Sequence, residues 1–340
     1  EISLGLVGSE MCIRDRENTD GETLRYFLNR FQPEINGLNS LNRYMSNSKQ
    51  NSNVYTTTPW VYQNQPTLSS GVNAISSDGN TIIAVGNSSP NQGIVWTTQN
   101  SQFGISALSA IAYGNGTWVA GGDLGILRTS TDNGVTWNTQ NSNFGASIII
   151  SIAYGNGTWV AVGSGGPGNI RTSTDNAVTW NTQTSNFGSA IYSVVYDNNI
   201  WVATGSSGRI RTSTDTINWN TQNSNLGVIA DILSVAYGDG TWAVISNATA
   251  NEQMENVRTS TDNGVTWNTQ VSNLGVSINS IAYGNGVWAA VGINGALVTS
   301  TDNAVTWSFQ NLNTSTNMLA IAYGDGTWVA GGAVSYTHLR

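Results

Sequence analysis

The sequence predicts an all-β protein, a β-propeller built from four-stranded antiparallel blades. Two tryptophan-containing phrases alternate along the chain, YGNGTWVA and STDNGVTWNTQ, each with several variants. Tryptophans of the second phrase stand 39 to 48 residues apart, at Trp96, Trp137, Trp180, Trp219, Trp267 and Trp307. This repeat is too long for leucine-rich or ankyrin units and fits a four-stranded blade. Abundant β-branched and aromatic residues, with Asn-Gly turns between them, favour short strands over helical repeats.

One repeat shows how a blade is expected to form. Residues 109–113 alternate as an innermost strand, and the Gly-Asn-Gly that follows provides the positive φ angles of a tight hairpin. Residues 117–120 return as the second strand, 126–130 form the third, and 135–140 form the outer strand after a second hairpin. Four short strands with polar turns therefore account for the whole repeat.

The number of blades follows from the position of the second strand in each repeat. From an outer-strand Trp to the next second-strand Trp is 21 to 23 residues, and Trp60 to Ile82 fits the same interval at 22. We therefore expect Trp60 to lie in an outer strand that completes the last blade and closes a ring. Seven blades result, with six or eight as alternatives, and the second strands contain Ile82, Trp118, Trp159, Trp201, Trp242, Trp288 and Trp328.

The phrase SxDxGxTW resembles the Asp-box, the repeat of bacterial neuraminidases, sortilin-type receptors and photosystem II assembly factors. The resemblance covers residues 60–333 and implies a sialidase-like propeller fold, with little information about function. In the turn of an Asp-box, the aspartate accepts hydrogen bonds from backbone N–H groups, and the tryptophan packs between sheets. The residues expected to have this structural role are Asp132, Asp175, Asp215, Asp262 and Asp302, with Trp137, Trp180, Trp219, Trp267 and Trp307.

Three of these turns depart from the pattern. Ala177 and Ala304 replace the glycine, and the copy that ends at Trp219 is one residue short. An alanine at positive φ costs about 1 kcal/mol. We therefore expect the preceding residues, Asn176 and Asn303, to adopt part of the left-handed geometry.

Both ends of the chain read as foreign sequence. Residues 6–16 and 334–340 back-translate, in opposite orientations, into one transposon adapter of short-read sequencing libraries. We expect 1–16 and 334–340 to be translated adapter and exclude them from fold reasoning. They contain Cys12 and His338, the only Cys and His. The propeller is then assigned to residues 51–333, in a chain that is expected to be a fragment.

Residues 17–50 follow a different pattern. Thr19 and Glu22 have capping-box spacing, and Leu24, Phe27 and Phe31 belong to a helical repeat of apolar residues. The segment is predicted to be a helix followed by a polar linker. It is interpreted as a tail that packs on the propeller or belongs to another domain, or as an oligomerisation or virion-attachment segment.

Composition excludes several classes of function. The chain has a net charge of −8 and only 9% charged residues, and without a basic cluster it lacks the attraction to phosphate that nucleic-acid binding requires. It contains no apolar run of the ~20 residues that a membrane-spanning helix needs. Since Cys and His are nearly absent, we expect neither a metal nor a cofactor.

Catalysis is also disfavoured by the residues available. A sialidase requires an arginine cluster, a tyrosine–glutamate pair and an acidic residue, but the arginines here recur once per blade at Arg128, Arg171, Arg211 and Arg258. Arginines at equivalent positions cannot converge on one substrate, so we expect them to stack on inter-blade Trp faces or bind turn carbonyls. Asp123, Asp197, Asp231, Glu252 and Glu255 are the carboxylates that a glycosidase would have to use.

The binding face is expected opposite the turns. Among the loops between second and third strands, residues 246–256 form the longest and contain Glu252 and Glu255, which makes these two the candidate ligand residues, or else a tolerated insertion. The leading hypothesis is a non-catalytic propeller that recognises glycans or a host surface, in a phage tail or extracellular adhesin. The alternatives are a sialidase-like glycoside hydrolase and an assembly factor that binds another protein.

Overall fold

The structure is a computed structural model that describes part of the chain. Described are residues 3–7, 10–14, 72–78, 81–86 and 107–339, except 166–168, 186, 227–229, 248–256, 271, 273, 311–313, 325 and 333–335. The chain divides into two compact units, Glu1–Thr57 and Thr58–Arg340. In the first unit, β1 (Ser3–Val7) and β2 (Glu10–Arg14) form an antiparallel hairpin. The predicted helical segment 17–50 and the predicted outer strand at Trp60 lie outside the described residues.

The second unit is a series of antiparallel sheets, each formed by strands that are consecutive in sequence. Its described strands begin with a pair, β3 (Val72–Ser77) and β4 (Ile82–Gly86). The next two sheets have four strands each. They are β5 (Leu108–Gly114), β6 (Thr117–Gly122), β7 (Leu127–Ser130) and β8 (Asn138–Gln140), then β9 (Ile149–Gly155), β10 (Thr158–Gly163), β11 (Ile170–Ser173) and β12 (Asn181–Gln183).

Three more four-stranded sheets and one three-stranded sheet complete the series. They are β13 (Ile191–Asp197), β14 (Ile200–Gly205), β15 (Ile210–Ser213) and β16 (Asn220–Gln222); β17 (Ile232–Gly238), β18 (Thr241–Ser246), β19 (Val257–Ser260) and β20 (Asn268–Gln270); β21 (Ile278–Gly284), β22 (Val287–Gly292), β23 (Leu297–Ser300) and β24 (Ser308–Gln310); and β25 (Met318–Gly324), β26 (Thr327–Gly332) and β27 (Tyr336–Leu339). Two 3₁₀ turns, Asp123–Gly125 and Ile293–Gly295, connect second and third strands.

The first strands of the sheets form a closed ring. Each first strand contacts that of the next sheet, from β3 through β5, β9, β13, β17 and β21 to β25, and β25 contacts β3 again. Closure is tight, since a Cβ on Gly331 of β26 would lie only 2.6 Å from Cγ1 of Val72 in β3. The predicted β-propeller is therefore confirmed, and the described residues contribute seven sheets to the ring.

Neighbouring sheets are held together by an aromatic pair and a glycine. In β9, the ring centroid of Tyr154 lies 4.9 Å from that of Trp159 in the same sheet. The other face of Tyr154 covers Gly114 of the preceding sheet, where a Cβ would lie 2.3 Å from the tyrosine Cγ. The indole of Trp159 is fully buried against Val119 and alanines of that sheet. The Tyr-Gly and Trp positions of each repeat are therefore selected by inter-sheet packing.

Several predicted boundaries differ from the structure, and the two largest effects are at the turns. The hairpin turn consists of Asn115 and Gly116 alone, because Gly114 pairs with Thr117 across the strands. The outer strand contains only 138–140 instead of 135–140. Residues 131–137 form a hydrogen-bonded turn, so their backbone groups are not available for the strand ladder.

The last sheet has a third strand within residues 334–340, the segment that was expected to be translated adapter and was left out of the propeller. In β27, Leu339 pairs with Trp328, as Ser130 pairs with Trp118 in the second sheet. Pairing of backbone groups requires little of the side chains, so the free edge of β26 can accept a segment of foreign origin. The prediction that residues 334–340 are translated adapter stays a prediction.

Because Gly331 lies at the junction that closes the ring, we expect the stability of the protein to depend on its missing side chain. We expect Gly331→Ala to lower the free energy of unfolding by about 1–3 kcal/mol, as overpacking does in a tight interface. In a Val72→Gly background the cost should become much smaller, because the clashing side chain is gone. The measurement is a double-mutant cycle by urea unfolding.

The matched control is Gly121→Ala, whose Cβ would lie 2.9 Å from Cγ2 of Ile149 at a different interface. Its cost should not depend on residue 72. Equal costs for Gly331→Ala with and without the Val72 side chain would mean that the first and last sheets do not meet.

Candidate functional site

The propeller has two faces with different chemistry. The hairpins between first and second strands and the turns between third and fourth strands share one end of the sheets, here named the turn face. Loops between second and third strands and the connections between sheets lie at the other end, here named the loop face.

On the turn face, the Ser-Thr-Asp turn (residues 130–137 and equivalents) is closed by its own side chains. The Ser130 hydroxyl donates to Oδ1 of Asp132 over 2.8 Å and accepts the N–H of Gly134 over 2.9 Å. The Asp132 carboxylate also accepts the N–H and the hydroxyl of Thr136, at 2.8 and 2.6 Å. The buried Trp137 donates its indole N–H to the Gly134 carbonyl over 2.8 Å. All polar atoms at the centre of the turn are thereby used locally.

Hydrogen bonding within these turns favours the ionised aspartate. In Asp132, donation from the Thr136 side chain and backbone lowers the pKa from 3.8 to about 2. The pKa values of Asp175 and Asp215 are likewise lowered to about 2, chiefly by hydrogen bonds from Thr179 and Asn218. A general acid needs a pKa near the working pH, so these carboxylates are unsuited to that task. The five aspartates lie in five separate turns, each bonded to the serine two residues before it.

The two alanines in these turns themselves adopt the left-handed conformation, with positive φ angles. Ala177 has φ 67° and Ala304 has φ 63°, and the preceding Asn176 and Asn303 are also left-handed, at 60° and 58°. Asn133 has φ 56° even where glycine follows it. The two asparagines are therefore left-handed, as expected from sequence, and the alanines are left-handed as well, because the turn uses two successive left-handed residues.

The repeated arginines bind the connections between sheets rather than tryptophan faces. Arg171 donates from Nε and Nη2 to the carbonyl of Asn143, at 3.0 and 2.8 Å, and its guanidinium lies 4.7 Å from the ring centroid of Phe144. Arg211 lies 5.2 Å from the ring centroid of Phe187 in the same way. Their aromatic partners are phenylalanines of the connecting segments, which the repeat places beside the third strand of the next sheet.

On the loop face, Tyr192 and Asp231 break the repeat. The Tyr192 hydroxyl donates to Oδ2 of Asp231 in the next sheet over 3.3 Å, and the N–H of Ser207 donates to Oδ1 over 3.0 Å. The backbone of Asp231 is held by Asn247, whose Oδ1 accepts its N–H over 2.7 Å. Burial, and then the Asp231 charge, raise the pKa of Tyr192, so the hydroxyl stays protonated and acts as a donor.

The guanidinium group of Arg209 lies on the loop face of the sheet that contains Tyr192. Arg209 precedes β15, is half-buried, donates from Nη1 to the Ser189 hydroxyl, and forms no ion pair with any described residue. Asn169 donates to the carbonyl of the same Ser189 over 2.5 Å, while its buried Oδ1 accepts no hydrogen bond in the described part of the chain. Tyr192, Arg209 and Asp231, here named the loop-face site, thus combine donors and acceptors from adjacent sheets.

The choice of Glu252 and Glu255 as ligand residues stays a prediction. Glu252 and Glu255 lie outside the described residues, and the loop that contains them begins beside Asn247. Asp123 starts a 3₁₀ turn of another sheet, and Asp197 is exposed on the turn face. Sequence reasoning missed Tyr192 as a site residue. The available signal was its position, the second of the first strand, which is Asn, Ser, Ile or Leu in the other sheets.

No cluster of three or more His, Cys, Asp and Glu side chains capable of holding a metal ion occurs among the described residues. Nor does any helix found in them have the length and apolarity needed to cross a bilayer.

The fold defines a β-propeller of four-stranded antiparallel blades, and solved structures resemble it. One described as "YCF48 bound to D1 peptide" matches with a TM-score of 0.64 and 16% identity, covering 84% of this chain and 97% of that chain. The computationally designed Ika8 protein matches with a TM-score of 0.54 and 13% identity, covering 82% and 98%. At such identities the likeness supports the fold alone. No protein-family model and no curated protein sequence matches this chain.

The turn aspartates predict an acid-sensitive fold. Their pKa values are lower in the folded chain than in the unfolded chain, so the stabilisation is present above about pH 4 and is lost as the pH falls towards 2. The melting temperature should therefore drop over this range. Thermal unfolding by circular dichroism between pH 7 and pH 2 measures it.

Asp132→Asn should melt at a lower temperature at pH 7 and show a smaller further decrease on acidification. Asp123→Asn, outside the turns, is the control and should retain the full decrease. A melting temperature of the wild-type protein that is constant from pH 5 to pH 2 would contradict the role of the turns.

Proposed function

We propose that this protein is a non-catalytic recognition propeller whose loop-face site binds a polypeptide segment of a partner protein. The observation that carries the proposal is the departure from the repeat at Tyr192, Arg209 and Asp231. Structural arginines of the repeat bind carbonyls of the connecting segments, as Arg171 does, whereas Arg209 lies half-buried and has no acidic partner among the described residues.

The site offers complementary groups to a peptide. Arg209 can bind a carboxylate or a backbone carbonyl through its guanidinium donors. Asp231 is held in place by Ser207 and Tyr192, so its carboxylate presents its remaining acceptor capacity without reorganisation. Alternating donors and acceptors of this kind suit a peptide backbone or polar side chains, and the protonated Tyr192 is a donor rather than a nucleophile.

Catalysis has little support from this arrangement. Glycoside hydrolysis by two carboxylates requires a pair about 5 to 10 Å apart, and at the loop-face site Asp231 is paired with a tyrosine. The turn aspartates have lowered pKa values and are engaged within their own turns. We therefore assign no catalytic residue, and the sialidase-like hydrolase is the less favoured candidate.

A protein partner is favoured over a glycan by two considerations. Glycan recognition by aromatic residues uses an open ring face, whereas the repeated tyrosines are covered by a tryptophan and, in four sheets, by a glycine of the preceding sheet. In addition, the neighbour with a TM-score of 0.64 is described as bound to a peptide. This agrees with the assembly-factor class, while attachment to a host surface by a phage tail or an extracellular adhesin would use the same site on a surface protein.

The proposal predicts that selection from a display library of random linear peptides yields binders to the purified chain. Arg209→Gln should weaken the selected peptides at least tenfold, equivalent to about 1.4 kcal/mol, and Tyr192→Phe should weaken them several-fold. The measurement is isothermal titration calorimetry on the full chain.

The control is Asp197→Asn on the turn face, which should bind with wild-type affinity. Selected peptides whose affinity is the same in Arg209→Gln would overturn the assignment of the site. A glycan array and a panel of chromogenic glycosides are tested in parallel. Saturable glycan binding without peptide binding would contradict the peptide class, and turnover of a glycoside would contradict the absence of catalysis.

A further inference from the structure

The dipeptide Asn-Gly occurs in three different environments of the propeller. Six copies lie among the described residues, and in each the asparagine is exposed and left-handed, with φ between 47° and 60°. Three are hairpin tips between first and second strands, at Asn115, Asn156 and Asn285. Asn133 and Asn263 lie in Ser-Thr-Asp turns, and Asn294 lies in the second 3₁₀ turn. Since the dipeptide is the same, any difference in its reactivity has to come from the fold.

Asn-Gly can lose its side-chain amide without help from another molecule than water. The glycine N–H gives up its proton, the nitrogen forms a bond to Cγ of the asparagine, and Nδ2 leaves as ammonia, which yields a succinimide ring. Glycine permits this close approach because it has no side chain. Water then opens the ring at one of its two carbonyls, leaving aspartate or isoaspartate. The reaction needs a glycine N–H that is accessible and a backbone that can rotate.

The hairpin tips meet both requirements. The strand ladders end at the pairs Gly114–Thr117, Gly155–Thr158 and Gly284–Val287, so the two tip residues lie outside them. The tip glycines are exposed, and a Cβ on any of them would meet no heavy atom within 4 Å. Their backbone N–H groups donate to no acceptor in the described part of the chain. These glycines are Gly116, Gly157 and Gly286.

In the Ser-Thr-Asp turns the glycine N–H is engaged instead. Gly134 donates to the Ser130 hydroxyl over 2.9 Å, and Gly264 donates to the Ser260 hydroxyl over 3.0 Å. Both glycines are buried. Rotation of the backbone would break this hydrogen bond and move the Gly134 carbonyl away from the Trp137 indole N–H, which donates to it. Attack on the asparagine therefore requires that the turn opens first.

The 3₁₀ turn is closed in a different way. Gly295, which follows Asn294, is buried, and the carbonyl of Thr314 occupies the place that its Cβ would take. The backbone at this position has no room to rotate.

One hairpin tip of the repeat already contains the product of the reaction. Asp239-Gly240 stands where three other sheets have Asn-Gly. Asp239 has φ 46° and Gly240 has φ 75°, against 48° and 75° for Asn156 and Gly157. An aspartate therefore fits this turn with the same backbone conformation.

We propose that the three hairpin asparagines, Asn115, Asn156 and Asn285, are sites of spontaneous deamidation. The asparagines in the other two environments are protected by the fold. Each conversion adds one negative charge to the turn face of a chain whose net charge is already −8. An aspartate leaves the hairpin intact, whereas an isoaspartate adds one atom to the backbone of the tip. The sites lie on the face opposite the loop-face site, so the proposal does not depend on the proposed function.

The experiment is incubation of the purified full chain at mildly alkaline pH in water enriched in heavy oxygen, which labels each ring opening. Digestion at acidic pH and peptide mapping by mass spectrometry then give a rate for every asparagine. The three tips should react at least about tenfold faster than Asn133 and Asn263, because opening the turn first costs a buried hydrogen bond. Asn115 should be the slowest tip, since its amide donates to Oδ1 of Asn176 over 3.5 Å.

Incubation in concentrated urea is the control for sequence effects, and all six asparagines should then react at similar rates. Equal rates at tips and turns in the folded chain would overturn the proposal. A difference that persists in urea would overturn it as well, because the fold would not be its cause.

Two variants test the individual steps. Ser130→Ala removes the acceptor of the Gly134 N–H and should speed the reaction at Asn133 several-fold. Asn263, whose Ser260 is unchanged, is the matched control in the same molecule and should keep its rate. An unchanged rate at Asn133 would contradict protection by the serine hydroxyl. Asn156→Asp should melt at the wild-type temperature, and a clearly lower value would contradict the fit of the aspartate product.

Discussion

Packing of a tyrosine ring over a glycine of the neighbouring sheet is the interaction on which the rest of the structure depends. The ring of Tyr154 is held between Trp159 of its own sheet and Gly114 of the preceding sheet. Only a residue without a side chain allows this approach without a shift of the ring. The contact recurs at four interfaces between neighbouring sheets, and the ring of first strands closes where β25 meets β3.

Polar groups complete the same interfaces through hydrogen bonds. The N–H of Val194 in one first strand donates to the hydroxyl of Ser151 in the preceding first strand over 3.2 Å, and Arg171 binds the connecting segment beside Phe144. Buried polar groups need partners, and amides, hydroxyls and carbonyls provide them here. This explains how a chain with 9% charged residues can fold into a large all-β ring.

The side chains that remain available for recognition lie at positions where the repeat is interrupted. Repeated residues such as Asp132 and Arg171 are engaged in turns and interfaces, so their side chains are not available for a ligand. Tyr192, Arg209 and Asp231 occupy positions with no constant residue type. In a repeat protein, the constant positions therefore describe packing, and the departures from them indicate where recognition can take place.

Sequence alone determined the fold class, the four strands of each blade and the ring of tryptophans, because these depend on a local pattern that recurs about every 40 residues. It did not determine that Arg171 would stack on Phe144, or that Tyr192 would reach Asp231 some 39 positions away. Nor could it show that Ala177 and Asn176 would both be left-handed. Tertiary structure decided these features, because each depends on how far apart neighbouring sheets lie and on which side chains meet across that gap.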